Sequence, residues 1–180
     1  MASGPDKTPT RIAGMFDSIA PRYDLLNRVL SLGLDKVRKG GLENRIRLVR
    51  ADATRIPLAD ASCDGATIGF GIRNVAEPER ALSELSRVLR PGARLAILEF
   101  GQPRIPGIRT LYAWYFRYVL PAIGRRVSHH DSAYSYLPAS VGTFPPPAQF
   151  AQTMERHGFA NIQAVPLTFG IVYLYVGTRA

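Results

Sequence analysis

The part of the chain that most constrains the fold is residues 47–100, where strand-like and helix-like segments alternate. Three short apolar runs in and beside it are typical of buried strands: residues 46–49, closing at Asp52, then 65–70 and 95–100. Between the last two, Pro78 lies in the first turn of a helix that Pro91-Gly92 ends. A strand, a helix and a strand in this order make a βαβ crossover with parallel strands. The sequence therefore predicts an α/β fold built on a parallel sheet.

Helical and strand patterns continue on both sides of this core. Apolar positions within residues 12–34 recur every three or four residues, which predicts two N-terminal helices separated at Pro21. Near the C-terminus, a predicted helix at residues 148–157 precedes two predicted strands, 162–166 and 170–177. The two strands are close enough along the chain to form an antiparallel hairpin.

Length and composition indicate the domain organisation. A chain of 180 residues that is 46% hydrophobic is long and apolar enough for one folded domain. Residues 1–10 are polar and contain prolines, so we predict a flexible arm there and a single domain over residues 11–180. The single cysteine, Cys63, excludes a disulfide within the chain and a cysteine-rich zinc site, which fits a reducing compartment.

The net charge of +9 and the pI of about 10.2 call for an anionic partner, either nucleic acid or an anionic membrane. In residues 104–126 arginines are interleaved with aromatic side chains, as at a lipid interface, and a packed cover helix with extended arginines fits equally well. No uncharged apolar run approaches the roughly 20 residues that cross a bilayer, and no secretion signal begins the chain. We therefore expect a cytoplasmic protein with peripheral contact to the inner face of the membrane through residues 104–126.

Candidate ligand-binding residues follow the predicted strands, because ligands bind beyond the carboxyl ends of parallel strands. Asp52 and Ala53 offer a carboxylate and a backbone amide to an adenine or ribose, although an aspartate here also simply begins a turn. The glycines of Gly69-Phe70-Gly71 lack a third partner at Asn74, so they favour close approach to a ligand over a phosphate cradle. Arg73 and Asn74 lie at the same edge, where an arginine holds an oxyanion and an amide orients it.

A second group of candidates lies in residues 129–136. His129-His130-Asp131 invites a metal-binding interpretation, but adjacent side chains seldom converge on one ion, so we predict no metal site. Asp131 or His130 is better suited to act as a base near a substrate. Tyr134 and Tyr136 are equally suited to packing and to substrate contact.

Longer motifs resemble one enzyme family. They are the segment at residues 16–31, FGIRNV at 70–75, RVLRPGARLAILEF at 87–100, LYAWYFRYVLPAIGR at 111–125, AYSYLPASVGTFP at 133–145 and GIVYLYVG at 170–177. Together they resemble the class I S-adenosyl-L-methionine-dependent methyltransferases of the UbiE/MenG type, which methylate a ring carbon in ubiquinone and menaquinone biosynthesis. The resemblance covers nearly the whole chain, and FGIRN and AYxYLPxS distinguish this group from other methyltransferases.

The resemblance implies a Rossmann-like class I methyltransferase fold with a reduced sheet of parallel strands, a C-terminal antiparallel hairpin and N-terminal helices. It implies S-adenosyl-L-methionine as cofactor and a polyprenylated quinol as substrate, with the prenyl tail along residues 112–118. It is also compatible with a homo-oligomer. The site residues that it implies are Asp52, Ala53 and Gly69 for cofactor, Arg73, Asn74, Asp131 and His130 for catalysis, and Tyr23, Tyr134 and Tyr136 for substrate. Gly69 and Gly101 stand where the family often has serine.

The largest departure from the family lies after Asp35. There the family continues through two strands with their helices and an acidic glycine-rich loop, whereas this chain passes directly to residues 36–46, the approach to the third strand. About 50 residues are absent, judged by the usual size of a βαβ unit and its extension. The missing first strand is central in this architecture, so its loss leaves hydrogen-bonding edges on its neighbours.

Two functions therefore remain open from the sequence. One is a quinone C-methyltransferase, acting in demethylmenaquinone or polyprenyl-benzoquinol methylation. The other is a non-catalytic remnant that binds quinone, membrane or a partner subunit. Nucleic-acid binding is disfavoured, because no motif that reads nucleic acid accompanies the charge.

Overall fold

The computed structural model describes residues 36–103, 105–115, 118 and 140–180. These residues fall into two compact units, of which one contains Asp52–Ala180 and the other contributes residues 36–51. The predicted flexible arm and the two predicted N-terminal helices lie outside the described residues. No helix in the described ranges combines the length and the apolar character needed to span a bilayer.

The larger unit contains a four-stranded sheet and three helices within its described ranges. In chain order they are β1 (Cys63–Gly69), α1 (Pro78–Val88), β2 (Leu89–Phe100), α2 (Pro106–Trp114), α3 (Pro147–Arg156), β3 (Phe159–Leu167) and β4 (Val172–Arg179). A 3-10 turn at Ile72–Asn74 follows β1, and another at Thr168–Gly170 joins β3 to β4.

The sheet has the strand order β1-β2-β4-β3. β1 and β2 are parallel, with Gly69 opposite Leu98, and α1 connects them. β4 is antiparallel to both β2 and β3. The predicted βαβ crossover and the predicted C-terminal hairpin are therefore both confirmed.

The hydrophobic core lies between the sheet and the helices α1 and α3. β2 contributes Leu95 and Ile97, which are fully buried, and α1 contributes Leu82. On the other side of this core, Phe150 of α3 contacts the Tyr175 ring edge-on, at 4.8 Å between centroids. These contacts fix β2 at the centre of the unit, with its C-terminal end free to carry polar groups.

Two predicted element boundaries are displaced. α1 ends at Val88 rather than at Pro91-Gly92, because β2 already begins at Leu89, which pairs with Cys63. Gly92 has a φ of 81°, a left-handed conformation that glycine adopts without steric cost, so the strand passes through this position.

The predicted strand at residues 46–49 is wrong. The backbone there has no strand assignment, and Ile46, Leu48 and Val49 are 41%, 49% and 56% exposed. A strand needs a neighbour to satisfy its backbone hydrogen bonds, and no described strand lies beside this segment. In the expected fold that neighbour belongs to the stretch missing after Asp35.

β1 is an edge strand, although its apolar sequence predicted a buried one. It pairs with β2 on one side, and no described residue pairs with its other side. Asp64, Gly65, Thr67 and Gly69 are exposed. The absence of the first strand predicted an unpaired edge on a neighbouring strand. In the described part of the molecule, β1 has such an edge.

Candidate functional site

The parallel pairing of β1 and β2 brings their C-terminal ends to one edge of the sheet. After β1, Phe70 has a φ of 53°, which turns the chain sharply into the Ile72–Asn74 turn. At the end of β2, Phe100 follows the buried Glu99, and its ring lies 4.5 Å from the Phe70 ring, centroid to centroid. The two strand ends are therefore packed against each other.

A buried ion pair links the two strand ends. Arg73 Nη1 donates to Glu99 Oε1 at 2.8 Å, with side-chain exposures of 9% and 0%. The same guanidinium group donates to the Phe70 carbonyl at 2.6 Å, and its Cζ lies 5.2 Å from the centroid of the Phe100 ring. The Arg73 side chain is therefore held in one position by a carboxylate, a carbonyl and an aromatic face.

Glu99 accepts two further hydrogen bonds from the backbone. The Phe100 amide donates to Oε1 at 2.8 Å, and the Arg73 amide donates to Oε2 at 3.2 Å. A buried carboxylate requires such partners, because an unpaired buried charge is strongly unfavourable. Glu99 thus ties the 3-10 turn after β1 to the end of β2.

Two buried polar atoms at this edge have no hydrogen-bond partner among the described residues: Arg73 Nε, a donor, and Asn74 Oδ1, an acceptor. The Asn74 amide nitrogen donates weakly to the Phe70 carbonyl at 3.4 Å. Buried polar atoms without partners are uncommon in folded proteins and are often associated with function. The edge therefore contains one buried donor and one buried acceptor that no described residue satisfies.

Tyr112 of α2 lies within electrostatic reach of this group. Burial raises the pKa of Tyr112 to about 12, and the positive charge of Arg73 acts in the opposite direction. The phenol is therefore protonated at neutral pH. Its position brings the aromatic helix α2 near the Arg73 and Glu99 pair.

A cavity of about 360 Å³ opens after the end of β2. Gly101, Gln102 and Pro103 line one side, and residues 141–147, including Phe144, line the other. Its walls are about equally polar and apolar, and they include three consecutive prolines at residues 145–147. A cavity beside the carboxyl end of a central strand is a common location for a small-molecule site.

The structure brings some of the predicted site residues together. Arg73, Asn74 and Gly69 share the edge formed by β1 and β2. Tyr23, His130, Asp131, Tyr134 and Tyr136 lie outside the described residues. Within the described ranges, no three His, Cys, Asp or Glu side chains lie close enough to hold a metal ion.

The sequence had predicted that Asp52 ends a strand. In the structure Asp52 begins a turn instead. Its Oδ1 accepts hydrogen bonds from the Thr54 amide at 2.8 Å and the Thr54 hydroxyl at 2.9 Å, and its backbone bridges to Arg55. The hydrogen bond from the Thr54 amide lowers the pKa of Asp52 below its usual value. The alternative interpretation of Asp52, a turn-initiating aspartate, describes this geometry.

The described residues make an incomplete site for S-adenosyl-L-methionine. Gly69 is open, since a side chain there would meet no atom within 4 Å, and Ala53 is exposed beside Asp52. However, the Asp52 carboxylate is engaged by Thr54, and the sequence contains no glycine-rich turn between a first strand and a helix. The cofactor that the resemblance implies therefore does not fit the described residues alone.

Sequence reasoning did not predict the partner of Arg73. The available signal was Glu99 itself, the one charged residue in the apolar run at 95–100, since a buried charge demands an opposite charge. No local sequence pattern indicates that this partner lies 26 positions away. Nor did it indicate that Tyr112 approaches the same pair.

Comparison with known proteins identifies the family. Residues 32–179 match the ubiE/COQ5 methyltransferase family. The ubiquinone/menaquinone biosynthesis C-methyltransferase UbiE of Syntrophotalea carbinolica is 39% identical over 221 residues, covering 92% of this chain and 93% of the relative. The demethylmenaquinone methyltransferase of Mycobacterium marinum is 36% identical over 221 residues, covering 97% and 96%.

The lengths of these alignments show how many positions of the relatives this chain lacks. With 92% of 180 residues, or about 166, matched to the Syntrophotalea carbinolica relative over 221 positions, about 55 positions have no counterpart here. That number agrees with the size of the segment predicted to be absent after Asp35. The match to the family is therefore broad in extent but interrupted.

Solved structures show the same fold. A SAM-dependent methyltransferase from Thermotoga maritima superimposes with a TM-score of 0.52 at 19% identity, over 79% of this chain and 70% of that one. The phosphoethanolamine N-methyltransferase 2 of Haemonchus contortus gives a TM-score of 0.58 at 13% identity, over 83% and 41%. With the family match, this shows that the chain belongs to the ubiE/COQ5 methyltransferase family, a group of S-adenosyl-L-methionine-dependent enzymes.

Proposed function

We propose that this chain acts in the C-methylation of a polyprenylated quinol and that its described residues supply the part of the site that binds the quinol ring. The observation that carries this proposal is the pair of buried atoms without partners, Arg73 Nε and Asn74 Oδ1. A phenolic hydroxyl both accepts and donates a hydrogen bond, so quinol hydroxyls can serve as acceptor for Arg73 Nε and as donor to Asn74 Oδ1. Both are covered, so the ring reaches them only when a neighbouring side chain moves.

The role of Arg73 in the reaction follows from its fixed position. Removing the proton from a quinol hydroxyl places electron density on the adjacent ring carbon, which is the carbon to be methylated. The Arg73 guanidinium group stabilises the resulting phenolate, and Asn74 orients it. His130 or Asp131 is the proposed acceptor of the proton. S-adenosyl-L-methionine, when bound, supplies an electrophilic methyl group.

The rest of the substrate finds apolar surface nearby. The cavity beside Gly101 and Phe144 suits the ring or the first prenyl unit. On and beside α2, Leu111, Trp114 and Tyr115 are 63%, 53% and 39% exposed, a surface that suits a prenyl tail or a lipid interface. This surface supports the proposed peripheral membrane contact through residues 104–126 and a location at the inner face of the cytoplasmic membrane.

Binding of 1,4-dihydroxynaphthalene, a quinol ring without a tail, tests the ring site. Trp114 is the single tryptophan, so quenching of its fluorescence reports binding near α2. We expect Asn74→Ala to weaken binding about tenfold, because a hydrogen-bond partner of the hydroxyl is lost. Arg80→Gln, which changes an exposed arginine in α1, is the matched control and leaves binding unchanged. Equal affinity for the wild type and the Asn74 variant would contradict the proposal.

A second function is favoured by the engaged Asp52 carboxylate and the missing glycine-rich loop. It is a non-catalytic remnant that binds quinol, membrane or a partner subunit and holds no cofactor. Calorimetric titration with S-adenosyl-L-methionine separates the two functions. Saturable heat supports the enzyme, whereas a flat titration together with retained dihydroxynaphthalene binding supports the remnant.

A further inference from the structure

A strongly basic segment precedes the sheet unit. Residues 36–50, here called the basic segment, contain six cationic side chains and a single acidic one, Glu43. The cationic residues are Lys36, Arg38, Lys39, Arg45, Arg47 and Arg50, and all six are exposed. None of them forms a salt bridge with another residue in the described part of the chain. The segment is therefore a dense source of uncompensated positive charge.

Apolar side chains lie between these charges. Ile46, Leu48 and Val49 are exposed to 41%, 49% and 56% and alternate with Arg45, Arg47 and Arg50. Outside a strand, they receive no cover from a neighbouring strand among the described residues. Exposed aliphatic groups are unfavourable in water, so this arrangement favours a surface that is both anionic and apolar.

We propose that the basic segment binds the surface of anionic phospholipid membranes. Clusters of four to eight Lys or Arg residues are attracted to anionic headgroups, and interleaved aliphatic side chains enter the boundary between headgroup and acyl chain. Nucleic acid is a poorer fit, because the segment contains no aromatic residue for base stacking and its exposed aliphatic groups have no counterpart on a phosphate backbone.

This inference rests on the proposed function and deepens it. A polyprenylated quinol resides in the membrane, so a chain bound to the membrane surface meets its substrate at high local concentration. The basic segment and the aromatic surface of α2 are separate in sequence and in chemistry. Vesicle binding is measured without quinol or cofactor, so its failure is distinguishable from failure of the ring site.

Co-sedimentation of the purified chain with vesicles tests the proposal. The vesicles contain phosphatidylcholine alone or with about 30% phosphatidylglycerol, at about 0.1 M salt, where charges within about 10 Å still interact. We expect at least tenfold stronger partitioning onto the anionic vesicles. Because each basic residue near the surface contributes about fivefold, the triple variant Arg45→Gln, Arg47→Gln, Arg50→Gln should lose at least tenfold.

Two further variants locate the interaction. The control triple variant Arg90→Gln, Arg94→Gln, Arg156→Gln removes the same charge from exposed positions on the sheet unit and should stay within about twofold of wild type. The variant Ile46→Ser, Leu48→Ser, Val49→Ser should keep its charge attraction but lose the binding that persists at high salt. Circular dichroism confirms that each variant retains its fold.

Three results would overturn the proposal. The first is equal binding to neutral and anionic vesicles, and the second is an equal loss in both arginine variants, which would indicate net charge alone. The third is stronger binding to a single-stranded oligonucleotide than to anionic vesicles, which would assign the segment to nucleic acid. If the wild-type chain did not bind vesicles but still bound dihydroxynaphthalene, the membrane proposal would be overturned and the proposed quinol site would stand.

Discussion

Glu99 lies inside the apolar end of the central strand β2, where a charge is energetically unfavourable. Its carboxylate is stable there because the Arg73 side chain and two backbone amides share it. The value of this arrangement is positional, since it holds the Arg73 guanidinium group at the edge where β1 and β2 end. A buried ion pair adds little net stability, but removing one partner leaves the other charge unpaired.

Glu99→Gln should therefore destabilise the protein by about 3–5 kcal/mol, measured by urea unfolding, because the buried Arg73 charge loses its partner. Asp64→Asn is the matched control, since Asp64 pairs with Arg90 at an exposed position. Loss of that surface pair should cost less than about 1 kcal/mol. A small effect of both substitutions would show that Arg73 is not held by Glu99.

The ring of Tyr173 leaves no room for a side chain at Gly101. A Cβ at Gly101 would lie 2.6 Å and 2.8 Å from two carbons of that ring, so Gly101→Ala should cost about 1–3 kcal/mol through overpacking. Replacing Tyr173 by leucine as well should cost less than the sum of the two single changes, since the clash is removed. Gly69→Ala, with nothing within 4 Å, is the control. Strict additivity in this double-mutant cycle would rule out the clash.

At the scale of elements, α1 is attached to the loop before β1 through Glu84 and Arg87. Glu84 Oε2 accepts a hydrogen bond from the Ile56 amide at 2.9 Å, and Arg87 donates to the Leu58 and Ile56 carbonyls at 2.8 Å and 2.9 Å. Arg87 also donates to Glu84 itself, closing the network. One acid and one base thus anchor the loop to the helix.

This network predicts a pH dependence. The hydrogen bonds from Arg87 and from the Ile56 amide lower the pKa of Glu84 from 4.5 to about 2. A carboxyl whose pKa falls on folding stabilises the protein above its unfolded pKa, and this stabilisation is lost as the pH falls from 4.5 towards 2. Glu84→Gln should flatten the fall of the melting temperature across that range. An identical slope in wild type and variant would contradict the prediction.

The elements show what the sequence could and could not predict. The helix α1, the parallel pair β1 and β2, and the hairpin of β3 and β4 follow from local apolar patterns and from short connections. The strand at residues 46–49 has an equally good local pattern, yet it does not form. Its pairing depends on a distant neighbour, which a local pattern does not reveal. The ion pair of Arg73 and Glu99 went unpredicted for the same reason.

At the scale of the whole molecule, the described residues of the two units differ in how exposed they are to proteolysis. Residues 36–50 are almost entirely exposed. By contrast, the arginines within residues 63–100 lie in the hydrogen-bonded helix α1 or strand β2 or, like Arg73, are buried. The predicted membership of the quinone methyltransferase group is confirmed by the family match, and the alignment lengths support the predicted internal gap. Whether the cofactor binds despite that gap is the question that calorimetry answers.

Limited trypsin digestion should reflect this difference. Among the described residues, we expect trypsin to cut within residues 36–50 before it cuts between residues 63 and 100. Mass spectrometry of the early products identifies the sites. Anionic vesicles should slow the cuts in the basic segment if it binds them. Early cleavage after Arg87 or Arg94 would contradict the described order of protection.

The unpaired side of β1 is a template on which fragment complementation can be tested. A peptide that encodes the absent strands and loop of a relative has a ready template along Thr67 and Ile68, where the backbone is free of any described neighbour. Co-expression of such a peptide would then reconstitute methyl transfer in trans, with the degree of rescue reporting how faithfully the donated strand docks.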